Sequence, residues 1–412
     1  MTAPTESSPP DSTERPVAQR GSAGEVFGAF LKLGFTSFGG PIAHLGYFRE
    51  EFVARRRWLD DQAYADLVAL CQFLPGPASS QVGFALGLMR GGPLGAAAAW
   101  TAFTLPSALA LILFALGAAS LTGPTAAGAL QGLKLVAVAV VAQALWGMAR
   151  SLCPNRERAT IALAAVAVVV FAGGALGQVA AIVLGGLAGL ALCRNGGTPS
   201  TRPLVFSLSR RTGLVSLAAF FALLFGLPLL VLAVAAPELA IFDAFYRAGA
   251  LVFGGGHVVL PLLQAEVVPP GWVSGEAFLA GYGAAQAVPG PLFTFAAYLG
   301  AVMAPVPAGL VMAAIALVAV FLPGFLLLLG TLPFWDALRA RPTAQAALAG
   351  TNAAVVGILG AALYDPIWTS TVRTPGDFAL ALAGFVLLMA WKAPPWAVVV
   401  LMALGGVGLS LL

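Results

Sequence analysis

Charged side chains are scarce in this sequence: Asp, Glu, Lys and Arg together make up 9% of its 412 residues. Soluble domains carry about a quarter, so this chain has too little charge to cover a surface in water. Apolar residues make up 59%, and the mean hydropathy is +0.92. A bilayer admits only helices or closed barrels. Because the apolar runs are long and do not alternate, the sequence predicts an all-α polytopic membrane protein.

Residues that supply catalysis and metal binding are also few. Three cysteines and two histidines occur at spacings that fit no disulfide framework and no metal motif. The chain lacks a Gly-x-x-x-x-Gly-Lys-[Ser/Thr] loop and a Gly-x-Ser-x-Gly elbow. The net charge of +4 is small, and most of the basic residues lie in short clusters beside apolar runs. This is the pattern of a membrane protein and not of a nucleic-acid-binding surface, so we expect no nucleic-acid partner. We therefore expect no enzyme, no cofactor and no metal.

Polar stretches divide the chain into four parts. The start is rich in Pro and Ser, which predicts a disordered cytoplasmic tail. A stretch with four arginines separates two long apolar regions and predicts a cytoplasmic linker. The predicted parts are a tail at 1–23, a first repeat at 24–193, a linker at 194–211, and a connecting helix with a second repeat at 212–412.

The two long regions repeat each other. Phe38-Gly39-Gly40 corresponds to Phe253-Gly254-Gly255, and Pro75-Gly76-Pro77 corresponds to Pro289-Gly290-Pro291. The order and spacing of the matches are nearly constant, which indicates an internal duplication. Further matched pairs are Lys32 with Arg247, Glu51 with Glu266, and Gln72 with Gln286.

Counting the segments predicts that the halves are inverted. Segments near 24–52 and 62–90 each have a Gly or Pro break in the middle, as expected of re-entrant hairpins. Four full spans then lead to the linker. The single span at 213–236 brings the second half in from the opposite side, giving an inverted repeat. With this arrangement nearly all arginines and lysines lie on the cytoplasmic side.

The two Pro-Gly-Pro breaks are the main candidate site. Broken backbone at membrane depth is tolerated only where protein or a water cavity satisfies it. A new helix starting after each break would present free N–H groups and a positive dipole end, which suit an anion. The alternative is a structural kink. The predicted site residues are Gln72, Pro75, Gly76, Pro77, Ser79, Ser80 and Gln81 in the first half, and Gln286, Pro289, Gly290, Pro291 and Thr294 in the second.

The glycine clusters and two matched cations are further candidates. Gly39 and Gly40, like Gly254 and Gly255, can line a substrate path or allow close helix packing, and both interpretations stay open. Lys32 and Arg247 lie in apolar surroundings, where a charge is a functional hypothesis. They could attract an anion, reach the interface, or pair with the matched glutamates.

Four residues are candidates for ion coupling: His44, Glu51, His257 and Glu266. Buried acids carry protons in coupled carriers, and histidine titrates near neutral pH. The alternatives are interfacial salt bridges for the glutamates and structural hydrogen bonds for the histidines.

Taken together, the Phe-Thr-Ser-Phe-Gly-Gly-Pro run with His44, then Trp58, then Gln72–Pro77, resembles the chromate ion transporter family. The second-half set Phe253–His257, Gln286–Pro291 and Gly350–Val356 is similar to that family's C-terminal domain. The resemblance covers roughly residues 24–412. It implies a bacterial inner-membrane carrier of the long two-domain type that exports chromate and confers resistance without ATP.

The prediction is therefore a secondary transporter of a tetrahedral oxyanion, with chromate exported by alternating access. A sulfate or other oxyanion transporter, an anion channel and a membrane enzyme are the alternatives. The expected partners are a chromate- or sulfate-like anion and the lipid bilayer, and a homodimer stays open.

Overall fold

The computed structural model describes residues 21–118, 123–193, 208–339 and 341–411, and these ranges contain helices and no strand. Residues 1–20 of the predicted tail and 194–207 of the predicted linker lie outside the described residues, so both assignments stay predictions. The helices of the first half are α1 Ala23–Thr36, α2 Gly40–Phe48, α3 Asp61–Phe73, α4 Ala78–Ala118, α5 Pro124–Leu152, α6 Arg156–Ala172 and α7 Gly174–Leu192.

The second half follows a connecting helix, α8 Arg210–Ala233, and has the same order of elements. Its helices are α9 Pro237–Ala250, α10 Val259–Val267, α11 Gly275–Ala285, α12 Phe295–Val302, α13 Ala308–Thr331, α14 Trp335–Arg339, α15 Pro342–Ala362, α16 Thr369–Thr371, α17 Pro375–Met389 and α18 Pro395–Ser410. Two π-helical segments, Arg49–Arg55 and Leu363–Trp368, continue α2 and α15.

Local sequence signals explain where many helices begin. Four helices begin at an N-cap residue whose side-chain oxygen accepts a hydrogen bond from a backbone N–H of the first turn. These residues are Ser22 for α1, Asp60 for α3, Ser209 for α8 and Ser274 for α11. Proline occupies the first turn of α5, α9, α15, α17 and α18, where its missing N–H is not needed.

Six helical stretches in the described ranges are long and apolar enough to cross a bilayer, in and around α4, α5, α7, α8, α13 and α15. Large apolar side chains point outward from several helices: Phe171 is 88% exposed and Leu232 is 85% exposed. Such a surface requires lipid as solvent. The prediction of an all-α polytopic membrane protein is confirmed.

The predicted breaks occur in both halves. In the first half the chain leaves helical geometry between α1 and α2 and again between α3 and α4, and the second half repeats this between α9 and α10 and between α11 and α12. The helix α4 also bends at Gly91 and Gly92, whose dihedral angles are not helical. The bend therefore divides α4 into a short first part and a long span.

Equivalent helices of the two halves run in opposite directions. The end of α4 runs parallel to α12, because Ser107 lies beside Gly290 while Phe114 contacts Tyr298 with 5.8 Å between ring centroids. A short turn joins α12 to α13 and the two pack along each other, so they are antiparallel. It follows that α4 and its equivalent, α13, are antiparallel, as an inverted repeat requires.

The long helices of each half pack against the other half through glycine. Helix α18 packs on α5 where Gly132 faces the backbone of Met402, and α7 packs on α15 where Gly350 faces the backbone of Gly185. Gly132 and Gly350 are equivalent residues in the repeat. At both positions an added Cβ would collide with a carbonyl oxygen of the partner helix, so small residues set the distance between the halves.

We predict that Gly132→Ala destabilises the protein, because its Cβ has no room against α18. Overpacking of this kind costs about 1–3 kcal/mol. The measurement is the melting temperature of the full-length protein in detergent, and Gly350→Ala should behave in the same way.

Gly147→Ala is the matched control, because Gly147 lies on the same helix with open space where its Cβ would be. It should be neutral or stabilising, since alanine favours a helix over glycine by up to about 1 kcal/mol. Equal melting temperatures for Gly132→Ala and Gly147→Ala would contradict the interlocked arrangement.

Candidate functional site

The four helix breaks meet at the interface of the two halves. The N–H of Gly76, in the first Pro-Gly-Pro break, donates to the carbonyl of Val252 in the second half at 2.7 Å. In the matching bond, the N–H of Gly290 donates to the carbonyl of Ser37 in the first half at 2.8 Å. Each half therefore satisfies backbone groups that the other half leaves free.

Glycine is needed at the centre of both Pro-Gly-Pro breaks. Gly76 has φ of 120° and Gly290 has φ of 98°, a region that side chains disfavour. A Cβ on Gly76 would lie 3.0 Å from the Cα of Gly324, and one on Gly290 would lie 2.9 Å from the Oγ of Ser107. Because Gly324 and Ser107 are equivalent residues on α13 and α4, each break is seated against the long span of the opposite half.

The start of α4 is polar and fully enclosed. Ser79, Ser80 and Gln81 are 2%, 3% and 0% exposed. The Nε2 of Gln81 donates to the carbonyls of Pro75 at 3.0 Å and of Gly324 at 2.9 Å. This amide therefore holds the first break to the second half, while the first N–H groups of α4 lie beside two serine hydroxyls.

The equivalent start in the second half is less polar. Thr294 is 1% exposed, and its Oγ1 donates to the carbonyl of Pro291 at 2.8 Å. Phe295 follows at the position that Gln81 occupies in the first half, and it is 0% exposed. The site is therefore asymmetric, with more hydrogen-bonding groups contributed by the first half.

Several buried polar atoms near the first-half breaks have no hydrogen-bond partner within the described part of the chain. They are Ser37 Oγ, His44 Nε2, Ser80 Oγ, Gln81 Oε1 and Thr104 Oγ1. Unpaired buried groups of this kind are rare and point to a ligand or water. The sequence interpretation did not select Ser37 and Thr104. Ser37 could have been found because it directly precedes the Phe-Gly-Gly motif, whereas a threonine within a long apolar span gave no signal.

Both histidines lie beside hydroxyl groups; His44 is buried and His257 is half-buried. The Nδ1 of His44 lies 3.4 Å from the Oγ of Ser79, and the Nδ1 of His257 lies 2.7 Å from the hydroxyl of Tyr282. His44 thus belongs to the first-half polar cluster, while His257 joins α10 to α11. Among the described residues no three His, Cys, Asp or Glu side chains are grouped as a metal site would require.

The cation predicted in the first half is paired with the predicted glutamate. Lys32 Nζ lies 3.8 Å from Glu51 Oε2, and the lysine side chain is 55% exposed. Glu51 is 5% exposed, and it also accepts from Arg55 and, at 2.7 Å, from the Nε of Arg56. One buried carboxylate therefore has three cationic neighbours.

The second half has the opposite balance of charge. Both terminal nitrogens of Arg247 donate to Glu266, each at 2.9 Å, and its Nε donates to Asp243 at 3.1 Å. Two carboxylates therefore share one guanidinium. Asp243 was not selected from the sequence because the residue at its repeat position in the first half is Gly28, so no matched pair drew attention to it.

The remaining predicted residues lie along the breaks. Gln72 is exposed on α3, whereas Gln286 is half-buried and its Nε2 donates to the carbonyl of Tyr282 at 3.3 Å. A Cβ on Gly256 would lie 3.3 Å from Pro41, so the two glycine breaks contact each other. Four glycines in these breaks have positive φ: Gly39, Gly40, Gly254 and Gly255.

These features define a class: membrane transport proteins built from two inverted halves, with broken helices at the interface between them. A family model described as chromate transporter matches residues 24–190 and 239–408, one match in each half. The chain belongs to the chromate transporter family. No solved structure matches it.

Curated relatives align with nearly the whole chain. A chromate transport protein of Pseudomonas aeruginosa is 31% identical over 97% of this chain and 94% of its own length. A probable chromate transport protein of Synechococcus elongatus is 29% identical over 92% and 93%. A chromate transport protein of Cupriavidus metallidurans is 28% identical over 88% and 87%. These three relatives therefore align across both halves of the chain.

We predict unequal effects for the two matched cations. Arg247→Gln should lower the free energy of unfolding by about 3 kcal/mol, because it leaves two largely buried carboxylates without a cation. Lys32→Gln should cost less than about 1 kcal/mol, because Glu51 keeps two arginines and the lysine is partly exposed. Thermal denaturation of both variants in the same detergent measures the difference. A larger loss in Lys32→Gln would contradict these ion-pair assignments.

Proposed function

We propose that this protein exports chromate from the cytoplasm across the bacterial inner membrane and confers chromate resistance. The observation that carries the proposal is the convergence of four broken helix segments, lined by hydroxyl and amide groups, between two inverted halves. Membership of the chromate transporter family supports chromate as the transported ion. Electrostatics and the packing of the two halves support the direction of transport.

The polar groups at the breaks fit a tetrahedral dianion. Chromate needs several N–H and O–H donors, and a carboxylate beside it would repel it. Ser79, Ser80 and the first N–H groups of α4 can donate, as can the unpaired hydroxyls of Ser37 and Thr104. In the second half the hydroxyl of Thr294 already donates to the carbonyl of Pro291, so the first half supplies most of the free donors. In this proposal Lys32 and Arg247 shape the potential along the path without binding the ion directly, because carboxylates already hold them.

Unequal packing of the two halves supports alternating access. In the second half α11 packs along α5, and its residues Phe278–Ala285 are all buried. In the first half the equivalent α3 packs on α4, and Ala65, Ala69 and Gln72 are exposed. We call α3 with the start of α4 the first-half hairpin, and α11 with α12 the second-half hairpin. In this structure the second-half hairpin is docked and the first-half hairpin is exposed, and an inverted repeat has a natural second state with these roles exchanged.

The basic residues support a cytoplasmic location for the exposed hairpin. Arg55, Arg56 and Arg57 follow α2, and Arg150 and Arg156 flank the turn between α5 and α6. The positive-inside rule assigns these turns to the cytoplasm. The exposed first-half hairpin then opens toward the cytoplasm, which suits binding of an intracellular anion before its export.

The membrane potential favours export. Moving a dianion out of a cell with a negative interior is downhill by about 2.3 kcal/mol per charge per 100 mV. No ATP-binding loop occurs in the sequence. An ion gradient is therefore sufficient as the source of energy, and sulfate, which resembles chromate in charge and shape, is the main competing substrate.

We predict that Ser80→Ala reduces chromate transport without reducing stability. Its hydroxyl is 3% exposed and has no partner in the described part of the chain, so its removal leaves no group unpaired. A hydrogen bond to a charged ligand contributes about 1.5–3 kcal/mol, so half-saturation should rise by about tenfold or more. The measurement is chromate uptake into inside-out vesicles with and without sulfate.

Ser151→Ala is the control, because Ser151 is exposed and its hydroxyl donates to the carbonyl of its own helix at Gly147. It should transport normally. Unchanged half-saturation in Ser80→Ala would remove this hydroxyl from the site. If wild-type vesicles move sulfate and exclude chromate, the substrate is a different oxyanion, and conductance in single-channel recordings would favour a channel.

We also predict that reporters fused within 194–207 and after the C-terminus report opposite sides of the membrane. Only the linker fusion should be cytoplasmic, because α8, α13, α15, α17 and α18 are five crossings between the two points while the broken segments return to the side they start from. Alkaline phosphatase and fluorescent-protein activities in intact cells measure this. The same side for both fusions would refute the proposed sidedness.

A further inference from the structure

The ion-pair cluster formed by Asp243, Arg247 and Glu266 has one carboxylate more than its cations balance. The guanidinium of Arg247 contacts both acids at distances of 2.9–3.1 Å. Asp243 is 4% exposed, and the side chain of Glu266 is 13% exposed. If both acids were ionised, the cluster would keep a net negative charge in surroundings of low dielectric constant, which is costly.

One oxygen in this cluster is also unsatisfied. Asp243 Oδ2 accepts from Arg247, but Oδ1 is buried and has no hydrogen-bond partner among the described residues. A buried carboxylate oxygen that lacks a donor costs more free energy as part of an anion than as part of a neutral acid. The geometry therefore identifies Oδ1 as a place for a proton.

Two other buried carboxylates in the chain show how different this environment is. Asp377 is 7% exposed, yet it accepts from the Nε2 of Gln131 and from the backbone N–H groups of Arg373 and Thr374, at 3.0–3.1 Å. Glu51, which is equivalent to Glu266, has three cations around it. Both of these are supplied with donors or positive charge, whereas the pair of Asp243 and Glu266 is not.

The helices packed around the cluster bring little other charge. The sequences of α7, α13 and α15 contain no ionisable residue. Helix α8 contacts α9 at Phe220, whose carbonyl accepts a hydrogen bond from the hydroxyl of Tyr246. The two arginines of α8, Arg210 and Arg211, lie at its start, about three turns before this contact. On α11, Tyr282 is bonded to His257 and Glu276 is paired with Lys134, while Glu238 is exposed on the first turn of α9.

We propose that Asp243 and Glu266 form a proton-binding site, which Arg247 holds together and which exchanges protons with the outer face. The inference rests on the proposed transport function for its coupling role. Under the proposed sidedness the start of α9 and the end of α10 lie toward the outer face. A proton from outer water binds one carboxylate when the second-half hairpin opens, and it leaves to cytoplasmic water in the other state. Each bound proton removes the excess negative charge of the cluster.

Infrared difference spectroscopy of the purified full-length protein tests the site independently of transport. Across a pH step around neutrality, the wild type should show a carbonyl band of a protonated carboxylic acid. Asp243→Asn or Glu266→Gln should remove or shift this band, and Asp377→Asn should leave it unchanged. A band that persists in both cluster variants, or is absent from the wild type, would overturn the proposal. Size-exclusion profiles select folded variants, and two cluster variants are made because one could fail to fold.

Proteoliposomes with a trapped pH indicator test the coupling role. Chromate flux through the wild type should drive a pH change inside the vesicles, and Asp377→Asn should retain it. Asp243→Asn should lose the pH change while it still binds chromate. A chromate-driven pH change that survives in both Asp243→Asn and Glu266→Gln would overturn the coupling role. If the wild type moves no chromate, the proposed function fails, and the infrared band still decides whether the proton site exists.

Discussion

Two backbone hydrogen bonds across the halves make the rest of this structure possible. A helix that breaks inside a membrane exposes N–H and carbonyl groups that lipid cannot satisfy. Here the N–H of Gly76 donates to the carbonyl of Val252, and the N–H of Gly290 donates to the carbonyl of Ser37, each in the opposite half. Neither half by itself supplies these partners. The duplication therefore supplies hydrogen-bond partners to both pairs of breaks, and the region where the breaks meet is the one proposed for the substrate.

Around this centre the two halves share a fold but differ in chemistry. The first half has the hydroxyls, the glutamine and three cations around one glutamate, whereas the second half has a phenylalanine in place of that glutamine and two acids around one arginine. Because the halves are inverted, this difference becomes a difference between the two faces of the membrane. Under the proposed sidedness, the basic residues of the first half lie toward the inner face and the acidic cluster lies toward the outer face, which suits a path along which an anion leaves and a proton enters.

The two halves share one fold, yet their equivalent hairpins are packed differently in this structure. The second-half hairpin is buried against α5, and its first-half equivalent is more exposed. Small residues such as Gly132 and Gly350 fix the long helices of the two halves against each other. The short helices also pack on the long ones through glycine, as Gly34 does on α4 and Gly283 on α5, so any exchange of the two hairpin positions requires these contacts to re-form in the other half.

The sequence by itself determined the membrane class, the duplication, the order of the helices and the positions of all four breaks. These follow from local physics: long apolar runs require lipid, and the paired Pro-Gly-Pro and glycine clusters interrupt helices, whereas single prolines such as Pro228 and Pro323 lie inside them. It also named the acids and bases that could pair, including Lys32 with Glu51 and Arg247 with Glu266, without choosing between pairing and binding an anion. Only the tertiary structure decided which break meets which carbonyl and which hydroxyls stay without a partner. It alone revealed that Arg247 holds Asp243 and Glu266 at the same time, and that one oxygen of Asp243 has no partner among the described residues. Such contacts form between segments far apart in the chain and depend on how the inverted halves dock, which no local pattern records.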